Sequence, residues 1–164
     1  MTDLLHLGED NMDILIINAL LDSLMKIFNT MVGVVPEAGV PVPKNDNISL
    51  GEVSGIMLME ADKTKGSMAI SFSKGAIAKV ANKMLGDNLK QVDDTARDLT
   101  GEMTNMLVGG AKNILAERGY NFDMSTPEIV SGKKHIIDHK YHGQTVILPF
   151  KLEKDAFYLE INFQ

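Results

Sequence analysis

The sequence contains no cysteine, and its 16 lysines and arginines are outnumbered by 22 aspartates and glutamates. The absence of cysteine excludes disulfides, a thiol nucleophile and zinc sites built from thiolates. The formal net charge of −6 disfavours nucleic acid and anionic lipid as partners, because both are bound mainly through clustered cations. The lack of cysteine and the negative charge therefore argue against thiol catalysis, thiolate zinc sites and binding of nucleic acid or anionic lipid.

Long hydrophobic runs are also missing. The longest apolar stretch near the N-terminus, ILIINALL, is far shorter than the roughly 20 residues that a transmembrane helix needs. The first ten residues, MTDLLHLGED, are acidic and have no basic region ahead of an apolar one, so we predict no secretory signal. We therefore expect a cytoplasmic protein without membrane insertion.

The composition is typical of one globular domain. The chain has 164 residues, of which 45% are hydrophobic and 23% charged, and this length is sufficient for one hydrophobic core. We therefore interpret residues 1–164 as a single domain.

Hydrophobic periodicity predicts helices separated by antiparallel hairpins. Apolar residues recur at helical spacing from about Glu9 to Val32 and again in KGAIAKVANKMLGDN, and these segments end at Gly33 and Gly86. Alternating patterns predict strands in SLGEVSGIMLME, GSMAISFS, PEIVSG, QTVILPFKL and AFYLEINF. We expect the last strand to bury one face only, and Pro149 to place its strand at an edge or a bulge. The order predicts a two-layer α+β fold, with long amphipathic helices packed on an antiparallel sheet.

A faint internal repeat relates the two halves of the chain. Aligning Lys26 with Lys112 also aligns Gly33 with Gly119, so that KIFNTMVG and KNILAERG end two long helices in the same way. This register indicates an internal duplication.

The second long helix is the most informative segment. Thr95 and Asp98 match a T-x-x-D capping box, which predicts a helix that begins near Thr95 or Ala96 and ends at Arg118. With about 100° per residue, the positions that we expect in the core are Leu99, Met103, Met106, Leu107, Gly110 and Ile114. A narrow stripe on another side carries Asp98, Glu102, Asn105, Gly109, Lys112 and Ala116.

This stripe contains residues that a helix interior disfavours. The amide of Asn105 competes with backbone hydrogen bonds, and a glycine such as Gly109 costs roughly 1 kcal/mol relative to alanine. Glu102 and Asn105, at positions i and i+3, are neighbours on the helix surface. The combination indicates a face kept for close approach by another molecule. A solvated face with a local Glu–Lys pair is the alternative that spacing alone leaves open.

The stretch DLTGEMTNMLVGGAKNIL resembles the signature of the CheC/CheX/FliY family of response-regulator phosphatases. The signature is an E-x-x-N motif, here Glu102 and Asn105, followed in the same helix by Gly109 and Lys112. The preceding AKVANKMLG helix, the chain length and the C-terminal strands agree with the family, which implies a CheC-like fold with an internal pseudo-duplication. In the register of the repeat the first helix has Ile16 and Ala19 in place of the motif, so the chain is similar to CheX-type members with one motif.

The resemblance implies an enzyme that hydrolyses the aspartyl phosphate of a CheY-like receiver domain. Asn105 is then the candidate for orienting the attacking water, and Glu102 for pairing with a lysine of the receiver. Asp98, Gly109 and Lys112 are the candidate docking residues. No cofactor is expected on this chain itself, because the receiver carries the Mg²⁺. A homodimer joined through the sheets is also implied.

Two other functions stay open at this point. A non-catalytic module that binds a receiver domain or a flagellar-switch partner through the same helix face would have the same sequence features. A structural dimer without a signalling role would remain if the motif were coincidental.

A second cluster of polar residues occurs in HIIDHKYH. Its members, His135, Asp138, His139 and His142, have side chains that bind metals. The segment lies between predicted strands, where His135 and His139 would be well separated, and neighbouring lysines would oppose a cation. We therefore predict a surface loop or ribbon and no metal site.

Overall fold

The computed structural model describes residues 12–61 and 64–164. Within these ranges the helices are α1 (Met12–Ile27), α2 (Lys74–Leu85) and α3 (Asp94–Glu117), and a π-helical turn (Phe28–Val32) continues α1. The strands are β1 (Glu37–Ala38), β2 (Val42–Lys44), β3 (Val53–Ala61), β4 (Thr64–Phe72), β5 (Asp123–Met124), β6 (Glu128–Ser131), β7 (Thr145–Leu152) and β8 (Asp155–Phe163).

The described strands form one antiparallel sheet. Four long strands in the order β7-β8-β4-β3 make up its centre, with β1 and β2 along the outer edge of β7, and β5 and β6 along the outer edge of β3. The three helices share one hydrophobic core with the inner face of this sheet. The predicted two-layer α+β fold is therefore confirmed.

The internal duplication is visible in the topology. Each half consists of a long helix, two short strands and a long hairpin, and the short strands of each half pair with the hairpin of the other half. The register that aligns Lys26 with Lys112 also aligns the first residue of β1 with that of β5, and the first residue of β2 with that of β6. The exchange of edge strands ties the two halves into one sheet.

The segment Met12–Val32 is long and apolar enough to cross a membrane by length and composition, but 56% of its most apolar window is buried inside the protein. Ile16, Leu20 and Leu21 are each at most 1% exposed. Packing against the sheet and α3 accounts for the apolar character of this helix. It ends as predicted at Gly33, which has a φ of 78°. Its predicted start near Glu9 lies outside the described residues.

Pro149 lies where the pairing along the edge of β7 is interrupted. Ala38 of β1 pairs with Phe150 and Val42 of β2 pairs with Ile147, so Pro149 falls between the two short strands. Its carbonyl accepts a hydrogen bond from Gly39 N (2.7 Å), and its missing N–H removes no bond from the ladder.

The prediction that β8 buries only one face is wrong. Glu160 and Asn162 are 1% and 3% exposed, because the loop of residues 132–144 covers the outer face of the sheet. Glu160 accepts a hydrogen bond from Lys44 Nζ (2.7 Å), and its other carboxylate oxygen lies 3.1 Å from His139 Nε2. Alternation of apolar and polar residues along a strand cannot predict burial of both faces, since the outward side chains of this strand are polar yet buried.

This buried ion pair generates a stability prediction. Glu160→Ala leaves the buried ammonium of Lys44 without its carboxylate, and we expect a loss of about 3–5 kcal/mol in the free energy of unfolding, measured by urea titration. Glu153→Ala, which removes an exposed carboxylate paired with Lys79, is the matched control and should cost less than about 1 kcal/mol. Equal losses in the two variants would contradict the importance assigned to Glu160.

Candidate functional site

Helix α3 begins earlier than the sequence predicted. Asp93 is its N-cap, and the Asp93 carboxylate accepts a hydrogen bond from Ala96 N (3.0 Å). The predicted capping box of Thr95 and Asp98 is therefore wrong. Asp98 lies inside the helix with an exposed side chain, and this leaves it available at the surface.

The buried face of α3 agrees with the prediction at its centre. Leu99, Met103 and Leu107 are buried, while Met106 and Ile114 are half-buried against the core. Two polar residues, Thr100 and Thr104, are also fully buried, which the pattern did not show. Their hydroxyls donate to the carbonyls of Ala96 (2.8 Å) and Thr100 (2.7 Å), so neither is left unsatisfied.

Two close contacts fix the rotation of α3 about its axis. A Cβ at Gly55 of β3 would overlap the Thr104 hydroxyl, and a Cβ at Gly110 would overlap the Ser23 hydroxyl of α1. The Ser23 hydroxyl also donates to the Leu107 carbonyl (2.8 Å). Because the helix is held against the sheet on one side and against α1 on another, its remaining side has a defined direction toward solvent.

The predicted stripe lies on this solvent side. Asp98, Glu102 and Asn105 are exposed, whereas Gly109 and Lys112 are half-buried. Within residues 12–61 and 64–164, the side chains of Glu102 and Asn105 have no hydrogen-bond or ion-pair partner. The amide and the carboxylate are therefore both available to another molecule.

Gly109 is not required by the packing of this protein. Among the described residues, apart from the backbone of α3 itself, a Cβ at Gly109 would have no heavy atom within 4 Å, in contrast to the crowded Gly110. Since a glycine in a helix interior costs roughly 1 kcal/mol relative to alanine, the packing of the described residues gains nothing from it.

An open recess lies beside the pair, between α3 and β6. We call it the α3–β6 recess, and its lining residues are Arg97, Asp98, Gly101, Glu102, Asn105 and Ile129. The Arg97 guanidinium donates to the Ser131 hydroxyl and to the Ile129 carbonyl (3.1 Å), which holds β6 against the helix.

Sequence reasoning missed Arg97, Gly101 and Ile129. Arg97 and Gly101 lie on the same helix as the motif, so their position beside the stripe was available from helical geometry. Ile129 was not available in this way, because only the pairing of β6 with β3 brings it to the helix.

The candidate site is an open surface and not an enclosed pocket. A carboxamide accepts and donates hydrogen bonds without a charge, and can therefore orient a water molecule. In the part of the chain that the structure describes, no group of three or more histidine, aspartate or glutamate side chains is placed to hold a metal ion. An open site of this kind suits a macromolecular substrate that brings its own reactive group.

The histidine-rich segment lies on the opposite face of the sheet. It is a loop as predicted, but the expectation of a surface segment is wrong for His135 and His139, each 8% exposed. The His135 ring contacts the hydroxyls of Ser54 (2.6 Å) and Ser49 (3.0 Å). The exposed Asp138 accepts hydrogen bonds from the side chain and backbone of Lys140, which lower the pKa of the Asp138 carboxyl.

One chain of contacts in this region has the connectivity of a catalytic triad. His139 Nδ1 lies 2.8 Å from the Ser67 hydroxyl, and His139 Nε2 lies 3.1 Å from Glu160 Oε1. Ser67 is completely buried in the centre of the sheet, so its hydroxyl cannot reach a substrate. The chain of contacts is a structural network that attaches the loop to the sheet.

Comparison with known proteins supports the family suggested by the motif. Residues 53–151 match the family model for the chemotaxis phosphatase CheX. The CheY-P phosphatase CheX of Thermotoga maritima is 30% identical over 130 residues, which is 74% of this chain and 79% of that protein.

Solved structures show the same relationship. A CheC-like superfamily protein from Shewanella sp. PV-4 is 45% identical with a TM-score of 0.84, covering 94% of this chain and 99% of that one. CheX from Borrelia burgdorferi, solved in a complex with CheY, BeF₃ and Mg²⁺, is 23% identical with a TM-score of 0.72, covering 90% of this chain and 97% of that one. At this lower identity the Borrelia protein shows a shared fold.

Proposed function

Because this chain belongs to the CheX family of chemotaxis phosphatases, we propose that it hydrolyses the aspartyl phosphate of a phosphorylated CheY-like response regulator. The Thermotoga relative is a CheY-P phosphatase, and the Borrelia relative forms a complex with CheY. The observation that carries the proposal is the exposed pair of Glu102 and Asn105, whose side chains have no partner among the described residues.

In this reaction a water oxygen attacks the phosphorus, and the bond between phosphorus and the aspartate oxygen breaks. The products are inorganic phosphate and the free aspartate carboxylate. In this proposal the receiver's own Mg²⁺ and lysine neutralise the phosphoryl oxygens, and the reaction requires no cofactor from the phosphatase. What remains for the phosphatase is to hold the water in line.

Asn105 is the residue that we assign to the water. Its neutral amide accepts from and donates to the water without repelling the phosphoryl oxygens, as a carboxylate would. The contribution is one of position, because an attacking atom held in line removes an entropic part of the barrier.

Glu102 lies one turn before Asn105 and is assigned to a lysine of the receiver. Such a pair fixes the docking register and keeps the amide over the phosphorus. Asp98 and Lys112, on the same stripe, are the further charged docking residues, and Gly109 lets the receiver backbone approach the helix.

We also propose a cytoplasmic homodimer joined through the sheets. The edge formed by β1 and β2 exposes Val42, which is 45% exposed, and next to it Val40, which is 72% exposed. Exposed strand edges favour pairing with another chain. The cytoplasm is where a response regulator is found.

The proposed function is tested by measuring phosphate release from phosphorylated receivers of the same genome, with and without the protein. Accelerated release from one receiver is expected. If a receiver binds but releases phosphate no faster, the protein is a non-catalytic docking module. If no receiver binds, the protein is a structural dimer without a signalling role.

Asn105→Ala should reduce the accelerated release about 100-fold or more, since the water loses its position. The side chain is exposed, so the thermal midpoint should not fall. Asn105→Asp should be equally inactive, because its negative charge faces the phosphoryl group.

Asn113→Ala is the matched control, because Asn113 is an exposed asparagine on the same helix, outside the proposed contact. It should keep the parent rate. Parent activity in either Asn105 variant would refute the assignment of the water to this amide.

Glu102→Ala should weaken binding of the receiver about tenfold, a loss of about 1.4 kcal/mol, because the receiver's lysine loses its carboxylate. Binding can be measured by calorimetry with a receiver activated by beryllofluoride. Glu117→Ala, at the exposed end of α3, is the control and should bind as the parent does. An unchanged affinity in Glu102→Ala would remove Glu102 from the docking contact.

Gly109→Ala should make the protein more stable but weaken its action on the receiver. The added methyl group meets no neighbouring element within residues 12–61 and 64–164, so the free energy of unfolding should rise by about 0.5–1 kcal/mol. The KM for the phosphorylated receiver should rise as well, because the methyl group obstructs the receiver backbone. Gly110→Ala should instead destabilise the protein, because its methyl group would overlap Ser23. Parent KM in Gly109→Ala would show that no partner approaches this glycine.

A further inference from the structure

We propose that Gly101 and Ile129 form the floor of the α3–β6 recess and receive an aliphatic side chain of the docked response regulator. The floor would then determine affinity for the regulator and not the rate of the chemical step. This inference rests on the proposed function, since it extends the same docking surface beyond the Glu102–Asn105 pair.

The first observation that supports the proposal is the open space above Gly101. Gly101 lies in the interior of α3, where glycine costs roughly 1 kcal/mol relative to alanine. In the described part of the chain, a Cβ at this position would meet Ile129 alone, with Cδ1 at 3.6 Å and Cγ1 at 3.8 Å, which are ordinary contact distances. Gly55 and Gly110 are needed for close packing within the protein, but Gly101 is not. The space above it is left open on the side of the recess.

The polarity of the recess indicates what fits there. Gly101 is within the helix, so its backbone groups are hydrogen-bonded along α3. The Ile129 carbonyl accepts a hydrogen bond from Arg97, and the Ile129 side chain offers a half-buried aliphatic surface to the recess. The surrounding side chains, by contrast, are charged or polar: Arg97, Asp98, Glu102 and Asn105. An apolar floor with a polar rim matches an aliphatic side chain flanked by polar neighbours.

Arg97 is the positioning residue of this arrangement. Its guanidinium donates to two acceptors on β6, the Ser131 hydroxyl and the Ile129 carbonyl, and so sets the distance of Ile129 from the helix. Although two carboxylates line the same recess, Arg97 forms no ion pair with a described residue. Its role in the protein is therefore to hold the edge strand.

The test uses steady-state phosphate release by the full chain with its phosphorylated receiver. Gly101→Ala should raise KM about threefold to tenfold with kcat unchanged, because the methyl group occupies the space of the incoming side chain. Gly101→Leu should raise KM further. The thermal midpoint of Gly101→Ala should rise or stay level, so the loss of affinity cannot come from unfolding.

A compensating substitution makes the test specific for this floor. Ile129→Val removes Cδ1, the atom nearest to the added methyl group. The double variant Gly101→Ala/Ile129→Val adds a methyl group at residue 101 and removes one at residue 129, so the volume of the recess is nearly restored. The KM should therefore return toward the parent value. Glu117→Ala is the control outside the recess.

The outcomes separate this inference from the proposed function. If the parent accelerates phosphate release but Gly101→Ala and Gly101→Leu keep the parent KM, the floor is not a contact, and the proposed function stands. A fall in kcat at constant KM would also overturn the inference. If the parent does not accelerate release from any receiver, both proposals fail together.

Discussion

The contact between the Thr104 hydroxyl and Gly55 is the constraint on which the site depends. It brings α3 onto the sheet at a distance that a Cβ on β3 would prevent, and the second close contact, between Ser23 and Gly110, holds the helix against α1. A helix fixed along two lines cannot rotate about its axis. Asn105 follows Thr104 directly, so the inward direction of one residue determines the outward direction of the next.

The two halves of the duplicated architecture present different side chains at the aligned positions of their long helices. Both halves contain a long helix above a hairpin, yet the positions in α1 that align with the motif are Ile16 and Ala19, which are 1% and 2% exposed. In the first half these helix positions contribute apolar side chains to the core, whereas in the second half the aligned positions, Glu102 and Asn105, are exposed. The common scaffold thus buries these positions in one half and presents them to solvent in the other.

The two faces of the sheet carry different kinds of polar chemistry. On the outer face the polar groups of Lys44, His139 and Glu160 satisfy one another and are sealed by a loop. On the helical face Glu102 and Asn105 have no partner among the described residues. Buried polar groups stabilise when their hydrogen bonds are complete, whereas exposed unpartnered groups are free for another molecule. This contrast separates the structural network from the candidate site, although both contain residues with catalytic chemistry.

Local periodicity and spacing along one helix were enough to predict the α+β class, the positions of the long helices and strands, the internal repeat and the E-x-x-N pair. The sequence did not determine the N-cap at Asp93 or the burial of β8 on both faces. Nor did it place Ile129 beside Gly101, since two residues from different elements meet only when β6 pairs with β3. Spacing along the chain fixes which side chains share a helix face, but the packing of elements distant in sequence decides what lies opposite that face and whether water can reach it.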